Sequence, residues 1–66
     1  MTELQILDLQ LSNRKYYWFQ SIYEKPGIMQ YYYDKELDTV DLYIPGSEVS
    51  LDLKNIISID PHFIQQ

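Results

Sequence analysis

The chain reads as all-β, a small antiparallel barrel or strongly curved sheet of five to six strands. Three observations carry that expectation. Apolar and polar residues alternate with period two over 39–44 and 49–53. Aromatic and β-branched residues crowd 15–23 and 28–33. Turn signals at Pro26-Gly27, Asp34–Asp38 and Pro45-Gly46 cut the chain into strand-length pieces.

The N-terminal stretch 1–12 supports two readings. Leu7, Leu9 and Leu11 alternate with Asp8 and Gln10, which favours a first strand. Leu4, Leu7 and Leu11 also stand at helical spacing behind a Thr2 cap, so a short N-terminal helix is the alternative. Next, Lys15–Tyr23 and Ile28–Tyr33 flank Glu24-Lys25-Pro26-Gly27 and predict a hairpin. Both parities of its first strand carry aromatics, so neither face is plainly the inner one. A proline followed by glycine suits the two central positions of a type II turn, and this is expected at 26–27 and at 45–46.

In Thr39–Ile44 the set Val40, Leu42 and Ile44 points inward, leaving Asp41 and Tyr43 outside. In Val49–Leu53 the inward set is Val49, Leu51 and Leu53, with Ser50 and Asp52 outside. The short Pro45–Glu48 link makes these two segments a second antiparallel hairpin. Ile57-Ser58-Ile59 predicts a final strand. Asp60-Pro61 has the form of a helix start, leading into a loose tail over 60–66. Closing such strands in the SH3-like or Sm-like manner removes exposed edges.

Sixty-six residues make one small domain with a thin stability margin, and it lacks the usual staples. There is no cysteine for a disulfide or a thiolate zinc site, and only one histidine, His62. No cofactor and no metal are expected. Ten aromatic residues, seven of them tyrosine, exceed what so small an interior can hide. Some must face outward. The formal charge of −5 disfavours nucleic acid and anionic lipid, and it favours basic partners. No apolar run approaches a membrane span, and a cytoplasmic location is the default expectation.

Enzyme chemistry finds little support in this pattern. His62 lies near the C-terminus with Asp60 two residues before it, and it reads as a surface histidine rather than a base. The two glycines both fall in turn signals, which excludes a phosphate-binding glycine loop. Asp34, Glu36 and Asp38 have the first spacings of a calcium loop. Thr39 replaces the required glycine and Pro45 the bidentate glutamate, so the run is read as a solvated hairpin turn. Tyr43–Val49 resembles the hydrophobic-Arg-Gly turn of Sm-family RNA-binding proteins. Pro45 stands in place of the RNA-contacting arginine, which removes the RNA inference.

Two surface features remain as candidate binding sites. One is aromatic: Tyr16, Trp18, Tyr32 and Tyr43, in runs whose alternate members must leave the core. The other is acidic: Asp34, Glu36, Asp38, Asp41, Glu48 and Asp52, set against Lys35 alone, so that one hairpin carries the whole net charge. The expected function is a non-enzymatic protein-interaction module, an accessory or regulatory subunit docking through aromatic strands, with self-association as one version. The alternative is a small acidic inhibitor, of the kind encoded by phages and mobile elements. It would occupy the basic groove of a nucleic-acid-binding protein as a DNA mimic. A single-stranded nucleic-acid binder is the contrasting third reading.

Overall fold

A computed structural model describes residues 1–65. Four antiparallel strands form one curled sheet, a half-barrel, in the order β3-β2-β1-β4. They are β1 (Tyr16–Ser21), β2 (Pro26–Asp34), β3 (Thr39–Tyr43) and β4 (Ile56–Ile59). A short helix, α1 (Glu3–Asp8), packs against β3 on the core side.

The N-terminal segment is therefore helix rather than strand. Thr2 and Gln5 form a reciprocal capping box: the Thr2 hydroxyl accepts from the Gln5 amide while the Gln5 side chain accepts from the Thr2 amide. That pair satisfies two of the donors a helix start leaves open. Ile6 is fully buried, and Leu7, Leu9 and Leu11 pack at the margin of the core. Glu3 accepts a hydrogen bond from the Val40 amide on edge strand β3 (3.3 Å). The Met1 amine donates to the Leu53 carbonyl (2.8 Å) and to that of Ile56.

The first expected hairpin forms with a shifted turn. Trp18 pairs with Ile28, Phe19 with Gly27 and Gln20 with Pro26. Pro26 and Gly27 thus belong to β2 and make no type II turn. The reversal is made at Ile22–Lys25, where the Glu24 amide donates to the Ser21 carbonyl and Glu24 takes a φ of +65°. Proline is tolerated here because it is the first residue of its strand. Gly27 serves by its lack of a side chain, since a Cβ there would stand 2.8 Å from the Phe19 ring. At Pro45-Gly46 the type II turn does form, with a φ of +79° at Gly46 and the Ser47 amide donating to the Ile44 carbonyl.

The second expected hairpin is only half present. β3 follows its alternation, with Val40 and Leu42 buried and Asp41 exposed, although Ile44 is largely exposed. Val49–Leu53 is not a strand. It holds one bridge, Tyr43 to Ser50, and Val49 is 65% exposed instead of inward. Leu51 and Leu53 do reach the core margin, but Asp52 caps a 3-10 turn over Leu53–Asn55 and ends any pairing there. The sheet accordingly has four strands, not five or six.

β4 pairs with β1 across an irregularity between Gln20 and Ser21. No helix starts at Asp60-Pro61. Instead the Asp60 and Ile64 amides donate to the Trp18 and Tyr16 carbonyls, laying 60–64 along β1. The core comprises Ile6, Tyr17, Met29, Tyr31, Val40, Leu42, Ile56 and Ile59. Full burial of each such side chain contributes roughly 1.5–3 kcal/mol. No helix among the described residues is long and apolar enough to cross a membrane.

Candidate functional site

Register decides which aromatics face out. Residues directly opposite across antiparallel strands share a face. Tyr17 and Met29 are paired and buried, as are Tyr31 and Leu42. The alternate residues must then lie on the other side. There Tyr16, Gln30 and Tyr43 form one cross-strand row, Tyr32 and Asp41 a second, and Trp18 and Ile28 a third. The four aromatic residues singled out from the sequence therefore share one face. Trp18 is 45% exposed, while Tyr16, Tyr32 and Tyr43 are half-buried against their neighbours.

Tyr32 and Tyr43 pack edge to face, with ring centroids 5.3 Å apart and planes at 87°. The Tyr32 hydroxyl donates to Gln30 Oε1 (3.3 Å), and Gln30 Nε2 donates to the Arg14 carbonyl (3.0 Å). Asn13 braces the same end of β2, accepting from the Tyr33 amide (2.9 Å) and donating to its carbonyl (3.3 Å). The residues so tied line an open groove of about 1020 Å³. Tyr32, Tyr43 and Gln30 line it, with Arg14 and residues of the loop after β3, Ile44, Gly46, Ser47 and Glu48.

The acidic residues divide into those that reach this groove and those that do not. Asp34, Glu36, Asp41 and Glu48 line it, together with Lys35. Asp38 is taken up by Tyr33, whose hydroxyl donates to its carboxylate (2.8 Å), and Asp52 caps the 3-10 turn. Asp34 folds back on its own turn, accepting from the Glu36 and Leu37 amides. All six carboxylates are exposed. None of them has a cationic partner among the described residues, where the sole close contact between a basic and an acidic side chain is His62 Nδ1 to Asp60 (3.1 Å).

The perturbed titrations follow local bonding. The Tyr33 phenol is raised above its ordinary value, first by donating to the Asp38 carboxylate and then by burial and nearby negative charge. Tyr31 is raised by burial and by Tyr17 beside it. Asp60 is lowered, chiefly by the backbone N–H and side chain of His62. Tyr32 and Asp41, opposite each other across β2 and β3, both line the groove and set a ring beside an exposed carboxylate. That is a surface suited to cationic and planar groups.

Trp18 and Tyr16 lie outside the groove but on the same sheet face, and the C-terminal segment runs beside Tyr16. Lys15 Nζ stands 5.4 Å from the Phe63 ring centroid, and Ile64 bridges to Tyr16. Ile28, Gln30 and Asn13 were not singled out from the sequence. The signal for Ile28 lay in the register, since a reversal centred on Tyr23 places it opposite Trp18. No family model, curated protein or solved structure matches the chain.

Proposed function

We propose that this chain is a non-enzymatic protein-interaction module, an accessory or regulatory subunit that docks on another protein through its outer aromatic face. One observation carries the reading. Tyr16, Trp18, Tyr32 and Tyr43 share the side of the sheet that the core does not use. Tyrosine and tryptophan are rigid, amphipathic anchors, and such residues dominate binding energy in protein interfaces. The carboxylates along the groove favour a partner with a basic surface. A cytoplasmic setting, a platform of the SH3-like or Sm-like kind and assembly of two copies through the same face all accord with it.

The test is binding to the cellular partner at two salt concentrations. Docking through aromatics is expected to weaken with salt but to persist at the higher concentration, and to be lost in Trp18→Ala and Tyr32→Ala. Binding that both variants retain would refute it.

A second reading is supported by the six exposed carboxylates, none of them ion-paired among the described residues. In it the chain is an acidic inhibitor seated in the basic groove of a nucleic-acid-binding protein. Outward side chains on a strand repeat about every 6.6–6.8 Å, near the phosphate spacing of a nucleic-acid strand. Tyr43 follows Asp41 on that face and interrupts the row. This version requires affinity that falls steeply with salt and vanishes when Asp41 and Asp52 become Asn. Direct binding of single-stranded nucleic acid is the third version, and silence toward labelled oligonucleotides at low salt eliminates it.

A further inference from the structure

The groove's lining has a composition that specifies its occupant more narrowly than a basic surface. Asp41 lies directly across from Tyr32, and Tyr43 stands edge-on to the Tyr32 ring at 5.3 Å. An exposed carboxylate with no cation beside it among the described residues therefore adjoins two aromatic rings. In the groove as a whole, the carboxylates Asp34, Glu36, Asp41 and Glu48 outnumber the cations Arg14 and Lys35. A ring face attracts a cation through its quadrupole. A guanidinium adds planar stacking and a two-pronged hydrogen bond to a carboxylate, neither of which an ammonium can match.

We infer that the groove is a receptor for arginine side chains of a partner protein. The guanidinium stacks on the Tyr32–Tyr43 pair and forks onto Asp41, while Glu36 and Glu48 attract neighbouring basic residues of the same segment. This rests on the protein-docking reading above and specifies the chemistry of its partner. Gln30, held by Arg14 and Tyr32, keeps the Tyr32 ring in place for the stack.

The experiment titrates the isotope-labelled full chain at low ionic strength with tetra-arginine, with tetra-lysine of equal charge, and with an oligothymidine, reading backbone amide shifts by NMR. Tetra-arginine is expected to move the amides of Tyr32, Asp41, Tyr43 and Glu48. It is expected to bind about two- to five-fold more tightly than tetra-lysine. Asp41→Asn and Tyr43→Leu each remove most of that preference; Tyr43→Phe, which keeps the ring, preserves it and covers the case in which the leucine variant fails to fold. Asp52→Asn, outside the groove, leaves the preference intact.

Equal affinity for the two peptides would overturn the inference, as would shifts centred on Asp38 and Asp52. Oligothymidine moving the same amides would also overturn it and point to nucleic acid instead. Trp18→Ala separates the two levels, because it leaves tetra-arginine binding unchanged. Absent arginine preference alongside Trp18-dependent docking on the cellular partner refutes the arginine receptor alone. Partner binding indifferent to both Trp18 and Tyr32 refutes the docking reading itself.

Discussion

Tyr31, Tyr32 and Tyr33 are chemically identical neighbours with three different tasks. Tyr31 points inward, is 3% exposed and meets Tyr17 edge to face at 6.4 Å. Tyr32 points outward onto Tyr43 and the groove. Tyr33 is again on the inner side, but at the rim, where its hydroxyl ties down the β2–β3 turn through Asp38. The difference lies in the pleat alone, since successive side chains on a strand take opposite faces. A strand that is aromatic on both parities gives the core what it can hold and leaves the remainder outside. The outer rings are thus surplus to the fold and available to a partner.

The widest gap between the faces is expected from alanine at the two central tyrosines. Tyr31→Ala should cost about 3–5 kcal/mol, as truncation of a buried aromatic does. A domain this small has a total margin of only several kcal/mol, so this variant is expected to be largely unfolded. Tyr32→Ala should cost roughly 1 kcal/mol, the worth of an aromatic pair at the surface. Urea denaturation of both variants measures the gap, and equal losses would erase the distinction between the faces.

One residue pair along, Gly27→Ala and Ile28→Ala repeat the comparison. The new methyl at Gly27 runs into the Phe19 ring, which should cost about 1–3 kcal/mol. Ile28→Ala, at a side chain 37% exposed, should cost roughly 1 kcal/mol or less. If the clash is the cause, adding Phe19→Leu should soften the first loss and leave the second alone. Thr2→Ala, which breaks the capping box of α1, is expected to cost about 1 kcal/mol in the same assay.

The smallest effect is alkaline. Tyr31 is raised above its ordinary value of 10.0 by burial, and Tyr33 by its bond to Asp38. The fold therefore prefers both phenols neutral. Their contribution is intact below pH of about 10 and is lost as pH climbs through the raised folded values. Urea midpoints should fall as pH rises above about 10, and Tyr33→Phe should make that fall shallower.

Much of the inner face was legible in the sequence. Val40 and Leu42 sit where period two puts them, and the aromatic runs do make a hairpin. That Tyr16, Trp18, Tyr32 and Tyr43 face outward follows from the pairing register, and composition alone requires only that some rings lie outside. Legibility failed where periodicity was the only evidence. Leu7, Leu9 and Leu11 alternate, yet Thr2 with Gln5 three residues later is a capping box, and that local bonding outweighs a pattern both structures can satisfy. Val49, Leu51 and Leu53 also alternate, but two of them touch the core from a connection crossing its margin, with no strand needed. Pro26-Gly27 has the composition of a turn, but the task of Gly27 is to make room for Phe19 rather than to supply a positive φ. The division of the acidic set was hidden for a different reason. Only folding shows that Asp38 is bonded to Tyr33 and that Asp52 is a cap.

Tyrosine acetylation, mapped by mass spectrometry on the free chain and on its complex with the cellular partner, tests the docking face most directly. Tyr23 is the internal control: it is 71% exposed at the β1–β2 turn, about 20 Å along β2 from Tyr32 by strand rise. Tyr32 and Tyr43 should react in the free chain and be shielded in the complex, with Tyr23 reacting in both. Tyr32 and Tyr43 reacting at their free rates in the complex, with Tyr23 shielded instead, would place the interface elsewhere and contradict the assignment.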